Sequence, residues 1–288
     1  MRKLLLLGML CPFVAVSQQR VHVTLFGGIS NYSGDLQSKR FTLQQSNLAF
    51  GAGIKFDVTN KFAIRAAFNR GVIEATDKRN EPSLRPRNLS FMSKITEGAF
   101  LLEYTFLNME DKKVSPFINA GIAMFKYNPY TYDTLDNKIF LQPLSTEGQG
   151  LSQYPDRTPY KLTQFAIPVG GGIKFRIGPN TILSYEISFR KLFTDYLDDV
   201  SKTYVDQFVL AQERGLLAVD MAYRGDELKE GIPTNPPDGT KRGGQDQMDW
   251  YYYHGFTLYI GLGGGGGNSF GRGVRGGRGG RMGCPNVL

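Results

Sequence analysis

Few side chains in this chain have the types and spacing that catalysis or metal binding requires. The two histidines, His22 and His254, do not form a ligand pair one helical turn apart. A serine beside His22 would act as a nucleophile for acyl transfer only with a positioned base and an orienting group, and a lone histidine supplies no such triad. No G-x-S-x-G or phosphate-loop pattern occurs either. We therefore expect a protein that is not an enzyme and that has no metal, cofactor or small-molecule substrate.

A larger set of polar groups alternates with apolar residues along the predicted strands. The charged side chains that this alternation places on one face are Lys55, Asp57, Arg65, Glu103, Lys174, Arg176, Glu186 and Arg190. They are five cations and three anions, and they share the face with small residues. If the strands close into an eight-stranded barrel, its interior is just wide enough for side chains to fill it. We therefore expect an ion-paired plug and not a pathway for solutes.

Eight segments of roughly ten residues position these side chains. In the cleanest of them, residues 48–58, Leu48 and Phe50 lie on one face with further apolar residues, while Lys55 and Asp57 lie on the other. A tilted strand of about this length spans the hydrocarbon of a bilayer. The predicted strands cover residues 21–30, 47–59, 62–74, 91–106, 114–127, 165–177, 183–190 and 251–262.

The connections between these strands are alternately tight and long, with three tight turns and four long loops. Outer-membrane barrels have this asymmetry, with short periplasmic turns and long extracellular loops, and an even strand number places both termini in the periplasm. A soluble eight-stranded barrel also alternates, but its outer face is polar, whereas the continuous apolar face here carries aromatic residues. The sequence therefore predicts an all-β fold, an eight-stranded antiparallel transmembrane barrel of the outer membrane. Trp250, Tyr251, Tyr252 and Tyr253 predict an aromatic girdle at its lipid interface.

The first residues have the composition of a secretory signal peptide. Two basic residues precede an apolar run over residues 4–16, and small residues up to Ser17 predict cleavage after it. The run is too short for a spanning helix, which argues against an uncleaved anchor. Lipidation at Cys11 is disfavoured because bulky Leu10 precedes it. The predicted organisation is a signal peptide (1–17), a barrel (18–262) and a Gly/Arg-rich periplasmic tail (263–288).

The tail interleaves four arginines with glycines. RNA-binding segments have this composition, but a periplasmic tail meets no RNA, so we expect a flexible basic tether and no nucleic-acid partner. Removal of the signal peptide leaves Cys284 without a second cysteine in the chain, so an intrachain disulfide is excluded. For Cys284, an intermolecular disulfide and a merely tolerated thiol both stay open.

The last long connection, residues 194–249, has the opposite charge, with twelve acidic and six basic residues. Within it, residues 206–222 have the apolar spacing of a short amphipathic helix, which Gly215 interrupts. A connection of this length is usually functional or disordered. Function is therefore to be sought in this segment and in the tail.

Several short strings in the chain are distinctive. They are Thr-Asp-Tyr-Leu-Asp-Asp-Val-Ser at 194–201, Tyr-Val-Asp at 204–206, Arg-Gly-Asp at 224–226, Asp-Trp-Tyr at 249–251, the glycine-rich first strand ending in Asn-Tyr-Ser-Gly-Asp-Leu at 31–36, and Cys-Pro at 284–285. Together they resemble the PorG family of outer-membrane barrels of Bacteroidota, over nearly the whole chain after the signal peptide. The Gly/Arg expansion before Cys284 departs from the shorter tail of that family.

The resemblance implies a non-enzymatic subunit of the type IX protein secretion machinery. Such a subunit would anchor or organise, at the outer membrane, a periplasmic ring formed by the lipoprotein PorK and its partner PorN. The alternative function is an OmpA-like structural envelope barrel, or a narrow porin, without a secretion role.

The site residues that the resemblance points to are Asp195, Tyr196, Asp198, Asp199 and Cys284. One interpretation of the aspartates is a direct contact with a partner. The other is a structural cap, in which Asp198 or Asp199 accepts backbone N–H bonds at a helix start and folds the loop over the barrel mouth. The predicted topology places this motif outside the cell, on the side opposite to the implied ring.

Overall fold

The computed structural model of the chain describes residues 21–229, 231, 234–245 and 248–262. The predicted signal peptide and the Gly/Arg-rich tail with Cys284 lie outside the described residues. Among the helices of the described part, none is long and apolar enough to cross a membrane.

The described residues form ten strands and two short α-helices. The strands are β1 (Val21–Ser33), β2 (Asn47–Asp57), β3 (Phe62–Thr76), β4 (Ser90–Thr105), β5 (Val114–Lys126), β6 (Tyr130–Tyr132), β7 (Lys138–Phe140), β8 (Thr163–Arg176), β9 (Thr181–Leu192) and β10 (Trp250–Gly261). The helices are α1 (Gln207–Arg214) and α2 (Leu216–Ala222).

Eight of these strands close into an antiparallel barrel. Their order is β3-β2-β1-β10-β9-β8-β5-β4, and β3 pairs with β4 to close the ring, from Phe62 opposite Tyr104 to Thr76 opposite Ser90. A closed sheet satisfies every backbone group without a free edge, which is what hydrocarbon demands. The predicted eight-stranded antiparallel barrel is confirmed, and each predicted strand lies within a few residues of its observed bounds.

The outer wall of the barrel carries the apolar half of each alternating strand. Leu48, Phe50, Phe68, Phe100 and Ile122 are all more than half exposed on it. Soluble monomers do not leave so continuous an apolar surface in water. The belt is that of a barrel whose outer wall faces lipid.

The connections divide the barrel into two ends. The three tight connections, residues 58–61, 106–113 and 177–180, lie at one end together with Val21 and Leu262, whose backbones are hydrogen-bonded. We call this the turn end. The four long connections, residues 34–46, 77–89, 127–162 and 193–249, lie at the other end, the loop end.

Two glycines on β1 show how closely the first and last strands approach. Gly28 lies opposite Gly255 of β10, and a Cβ on Gly28 would lie 2.3 Å from the backbone oxygen of His254. A Cβ on its neighbour Gly27 would meet no atom within 4 Å. Closure of the barrel therefore requires a glycine at position 28 but not at position 27.

The loop end contains elements that the alternation did not predict. β6 and β7 form a hairpin that continues the sheet beside the loop end of β4, where Tyr130 lies opposite Met92. The helix predicted over 206–222 is two helices, because Gly215 between them has φ 86°, a conformation that other residues adopt at a cost. Asp206 caps α1 by accepting from the backbone N–H groups of Phe208 and Val209.

The two glycines give a matched test of barrel closure. Gly28→Ala places a methyl group against backbone that cannot move aside, so we expect a loss of about 2 kcal/mol in the free energy of unfolding. Gly27→Ala adds a methyl group on the open outer face, so we expect a change within about 0.5 kcal/mol. Urea unfolding in lipid vesicles measures both. Equal effects of the two substitutions would show that the approach of the strands at Gly28 is not limiting.

Candidate functional site

The barrel interior contains two groups of ion pairs, and the group nearer the turn end is centred on two glutamates. Arg65 and Glu186 form a bidentate pair, with N···O distances of 2.7 and 2.9 Å. The same glutamate accepts from Asn119, and the same arginine donates to the hydroxyl of Tyr259 at 2.9 Å. Two parallel bonds between a guanidinium and a carboxylate fix both orientation and charge.

Glu103 is the second glutamate of this group, and its side chain is fully enclosed. It accepts a short hydrogen bond from Lys174, whose ammonium also donates to Thr105 at 2.8 Å. Lys55 lies 3.7 Å from Glu103 and 2.8 Å from Asp57, at the rim of the interior. Pairing with a carboxylate at this distance offsets part of the cost of removing the ammonium from water.

The second group lies closer to the loop end and contains a residue that the sequence analysis missed. Glu97 of β4 accepts two hydrogen bonds from Arg190, at 2.8 and 2.9 Å. It also accepts from Asn69 at 2.8 Å and from the hydroxyl of Tyr251 at 2.7 Å. The signal was present in the sequence, because continuing the alternation of β4 back from Glu103 places Glu97 on the inward face.

The interior is balanced in charge. Of the eight predicted residues, Arg176 does not join the network, since its guanidinium donates to the backbone oxygen of Glu110 at the turn end. With Arg176 removed and Glu97 added, four cations face four anions. The prediction of an interior network is therefore correct for seven residues and wrong for Arg176.

The packing between the two groups leaves little space. The cavity lined by Arg65, Asn69, Glu186 and Arg190 has a volume of about 30 Å³, enough for one or two water molecules. The cavity that the described residues leave between the two groups of ion pairs is therefore of the size of water molecules. This geometry matches the predicted plug.

Below the plug, a polar vestibule of about 380 Å³ lies at the turn end. Among its lining side chains are Lys55, Asp57, Lys61, Glu110, Lys174 and Arg176. Residues of all three tight connections take part in the lining. The vestibule thus joins the two ammonium groups of the plug, those of Lys55 and Lys174, to the turn-end surface.

At the loop end, a hydroxyl group lies between two buried carboxyl groups. The hydroxyl oxygen of Tyr32 is 2.6 Å from a carboxyl oxygen of Asp198 and 2.8 Å from one of Asp249. A phenol has one proton to donate, so the second contact requires a proton on one of the carboxyl groups. Burial, and the neighbouring charges of Asp35 and Asp198 respectively, raise the pKa of Asp198 and of Asp249 well above the usual range.

A second centre of the loop end is built around Arg242. Its guanidinium donates to the carboxylate of Glu147 at 3.0 Å, to the backbone oxygen of Asp199 at 2.6 Å and to that of Ala222 at 3.1 Å. Glu147 also accepts from the backbone N–H groups at positions 201 and 202. One arginine therefore ties three separate segments of the long connections together.

Asp199 is held in the same centre. Its carboxyl group accepts from Thr146 at 2.5 Å and from the hydroxyl of Tyr160 at 2.6 Å. Burial raises the pKa of this carboxyl to about 6, an effect that the charge of Arg242 partly offsets. Its backbone has φ 69°, in the left-handed region. Together with the rest of the long connections, these contacts form a cap over the barrel, which we call the cap.

The motif at 194–201 lies inside the cap. Asp195, Asp198 and Asp199 are buried, and the half-buried ring of Tyr196 stacks on Tyr160 at 4.9 Å between centroids. The predicted role of Asp198 or Asp199 at a helix start is wrong, since Asp206 caps the helix. Asp198 instead accepts from the N–H of Val200 two residues on, at 3.0 Å, which closes a local turn.

Three of the strings noted in the sequence meet at one point. Tyr32 comes from the string at 31–36, Asp198 from the string at 194–201 and Asp249 from the string at 249–251. Asp249 also accepts from the N–H of Leu197 at 2.8 Å, and Asp35 accepts from the N–H of Gly244. Segments more than 160 residues apart thus close the cap, and their shared geometry favours the structural interpretation of the motif.

The predicted aromatic girdle is correct only in part. Trp250 is exposed on the outer wall, whereas Tyr252, on the same face of the strand, is buried beneath Phe41, on which it stacks, and donates to the backbone of residue 42. Tyr251 and Tyr253 are on the inner face and are buried. Alternation within a strand makes this unavoidable, since neighbours point to opposite faces.

The two histidines have separate surroundings. His22 lies 3.3 Å from Asp57 at the turn end, and His254 lies 3.0 Å from the hydroxyl of Tyr185 on the outer wall. Across the described residues, no three His, Cys, Asp or Glu side chains are arranged to hold a metal ion.

The residues whose ion pairs hold the cap together were not predicted from the sequence. Glu147, Arg242 and Arg87 lie in irregular connections, where side-chain direction follows no period. Arg87 pairs with Asp77 at 2.7 Å and also donates to the backbone oxygen of Arg242. Such partners are identified only by the three-dimensional structure, because no pattern in the sequence indicates them.

Arg242 gives a direct test of the cap. Arg242→Met leaves the carboxylates of Glu147 and Asp199 buried without their cation, so we expect the cap to lose about 3–5 kcal/mol. Proteinase added to intact cells or to vesicles should then cleave the long connections at least several-fold faster. Lys241→Met removes the same charge at the neighbouring exposed position and should leave the cleavage rate unchanged. A cap equally resistant in both variants would disprove the role given to Arg242.

The carboxyl pair of the cap predicts a dependence on pH. Because the folded pKa of Asp198 and Asp249 is raised, the contribution of this pair to the stability of the cap is fully present below the ordinary aspartate pKa of about 4. That contribution falls as the pH rises through the raised pKa, by about 1.4 kcal/mol per pH unit for each proton that the folded pair holds more tightly. Hydrogen exchange at the amide of Val200, corrected for the intrinsic rate, should show easier opening at pH 8 than at pH 5. Asp249→Asn should reduce that difference, whereas the exposed Asp136→Asn should preserve it. Protection that does not change with pH would contradict this assignment.

The described fold is similar to several solved outer-membrane proteins. Neisserial surface protein A (NspA) is 9% identical, with a TM-score of 0.42, and the match covers 84% of this chain and 96% of that one. OprG of Pseudomonas aeruginosa is 9% identical, with a TM-score of 0.39, over 84% and 97% of the two chains. Ail of Yersinia pestis, solved with the heparin analogue sucrose octasulfate, is 9% identical, with a TM-score of 0.39, over 83% and 97%.

The amino-acid sequence was also compared with curated proteins and with models of protein families. No curated protein matches the chain. The family model described as a domain of unknown function, DUF6089, matches residues 1–212, which is most of the chain and includes seven of the eight barrel strands and the motif at 194–201. The chain therefore belongs to the DUF6089 family.

Proposed function

We propose that this chain is a non-enzymatic outer-membrane anchor that holds a periplasmic ring of a type IX protein secretion machine at the membrane. The filled interior of the barrel carries the proposal. Four cations and four anions occupy the lumen in ion pairs, and the space between the two groups holds only one or two waters. A barrel with a plugged interior does not conduct solutes, so its function is to bind a partner.

The ring contact in this proposal lies at the turn end. The strings that resemble the PorG family include Asp198 and Asp249, and these side chains are buried in the cap, so they offer no surface to a partner. The turn end faces the periplasm if the long connections are extracellular. It presents Lys61, Lys112 and Lys113 in its tight connections, all of them exposed, and the vestibule behind them.

Deletion and crosslinking test the proposal. Deletion should block the export of many proteins to the cell surface, and the wild-type chain should restore it. In a Cys284→Ser background, Lys112→Cys at the turn end should crosslink to periplasmic ring proteins, which resemble PorK and PorN. Thr134→Cys, exposed at the tip of the β6–β7 hairpin at the loop end, is the matched control and should not.

Conductance separates this function from the alternative. The purified barrel should show no stable single-channel currents in planar bilayers, because the plug leaves no continuous path. Normal secretion in the deletion strain, together with no crosslink from position 112, would contradict the anchor and leave a structural envelope barrel. Stable currents would instead indicate a narrow porin and would disprove the plug.

A further inference from the structure

The outer wall of the barrel is charged only towards the loop end. In the eight barrel strands, the charged residues on the outward face are Arg70, Glu74, Lys94, Lys126 and Lys191. At the turn end, the same face carries residues such as Phe56, Phe62 and Phe175. Cationic side chains on a lipid-facing wall are least costly at head-group depth, so this band marks one interface of the membrane.

Three of these cations form a cluster. Arg70 of β3 and Lys126 of β5 both lie opposite Thr96 of β4, on either side of it. Lys94 is the next outward residue of β4 towards the loop end. Neighbouring strands are about 4.8 Å apart, and outward residues of one strand are about 6.8 Å apart, so the three side chains start within about 10 Å of one another. We call Arg70, Lys94 and Lys126 the cationic patch.

The cationic patch has little internal compensation. Its three side chains are exposed, and within the described part of the chain none of them forms an ion pair. Glu74 lies nearby, opposite Met92 on the same face, and is the one acidic outward residue of the described strands. Lys138 adds a further cation, since its ammonium lies 3.7 Å from the ring centroid of Tyr130, which pairs with Met92. The region therefore keeps a net positive charge.

The surface directly beneath the cationic patch is apolar. Phe68, Met124 and Phe165 lie one outward position nearer the turn end than Arg70, Lys126 and Thr163, and each is more than half exposed. An occupant of both surfaces needs an anionic head and an apolar body. Phosphate is the head group that suits the charges, because arginine binds it with two parallel hydrogen bonds and lysine binds it as a point charge.

We propose that the cationic patch binds the phosphate groups of a phosphorylated glycolipid in the outer leaflet, whose acyl chains lie along the apolar wall beneath. The site is independent of the secretion proposal, since it lies on the lipid face and not at the turn end. It gives the barrel a fixed lipid neighbour at β3, β4 and β5. Lys191 lies on β9, away from these strands, and is not part of the site.

Native mass spectrometry of the full-length barrel in detergent tests the site with diphosphoryl lipid A as the probe. In the triple variant Arg70→Gln, Lys94→Gln, Lys126→Gln, the Kd should rise on the order of a hundred-fold, at about five-fold per cation. The matched control Lys61→Gln, Lys112→Gln, Lys113→Gln removes three exposed cations from the turn end and should keep the wild-type Kd. Lipid A without phosphates should bind the wild-type barrel as weakly as diphosphoryl lipid A binds the triple variant.

Four outcomes would overturn the proposal. Three are an unchanged Kd in the triple variant, an equal loss in the turn-end control, and equal binding of the lipid without phosphates. Displacement of the lipid by millimolar inorganic phosphate would show a site for free anions and would also refute a lipid site. The shift in gel mobility on heating reports whether each variant is folded. If the triple variant fails to fold, the single Lys126→Gln variant, with an expected five-fold rise in Kd, decides the question.

Discussion

A sheet in hydrocarbon has to close, because lipid offers no partner to a free strand edge. In this chain the closing pair is β3 and β4, and the close approach of β1 and β10 at Gly28 completes the wall. Closure at eight strands fixes the width of the interior, and an interior of that width must be filled by its own side chains. The filling here is polar, so each charge in it needs a partner of opposite sign. The pairing of four cations with four anions in the described interior meets that requirement within the width that eight strands set.

The cap also buries charged groups, but it does not balance them by ion pairs alone. The described long connections bury six carboxyl groups, those of Asp77, Glu147, Asp195, Asp198, Asp199 and Asp249, against three guanidinium groups, those of Arg87, Arg224 and Arg242. Ion pairing cannot neutralise this excess of negative charge. Protons can, and the hydroxyl of Tyr32 between two carboxyl oxygens is the place where the geometry itself requires one. The same chain thus uses ion pairs alone inside the barrel, and ion pairs together with a shared proton at the loop end.

The wall of this barrel was predictable from sequence because the period of a strand is two, and every side chain obeys it. The same rule explains the errors. Glu97 was missed only because the alternation of β4 was not followed far enough, and Tyr251 and Tyr253 were placed in the girdle against their own parity. Arg176 has inward parity, but it lies at the end of its strand, where a long side chain reaches the rim. The cap has no period, so the partners of Arg242 were not predictable by any local rule.

The position of the cap motif also limits what sequence similarity indicates about binding. A string such as the one at 194–201 is distinctive because two of its side chains must fit buried centres of the cap, Asp198 against Tyr32 and Asp199 against Thr146 and Tyr160. Residues of that kind are constrained by the fold, whatever the barrel binds. Residues that meet a partner are exposed and are constrained only by what the partner requires. Surface function in this molecule therefore has to be argued from exposed groups, namely the turn-end lysines and the cationic patch, and the buried motif accounts for the shape that holds the loop end closed.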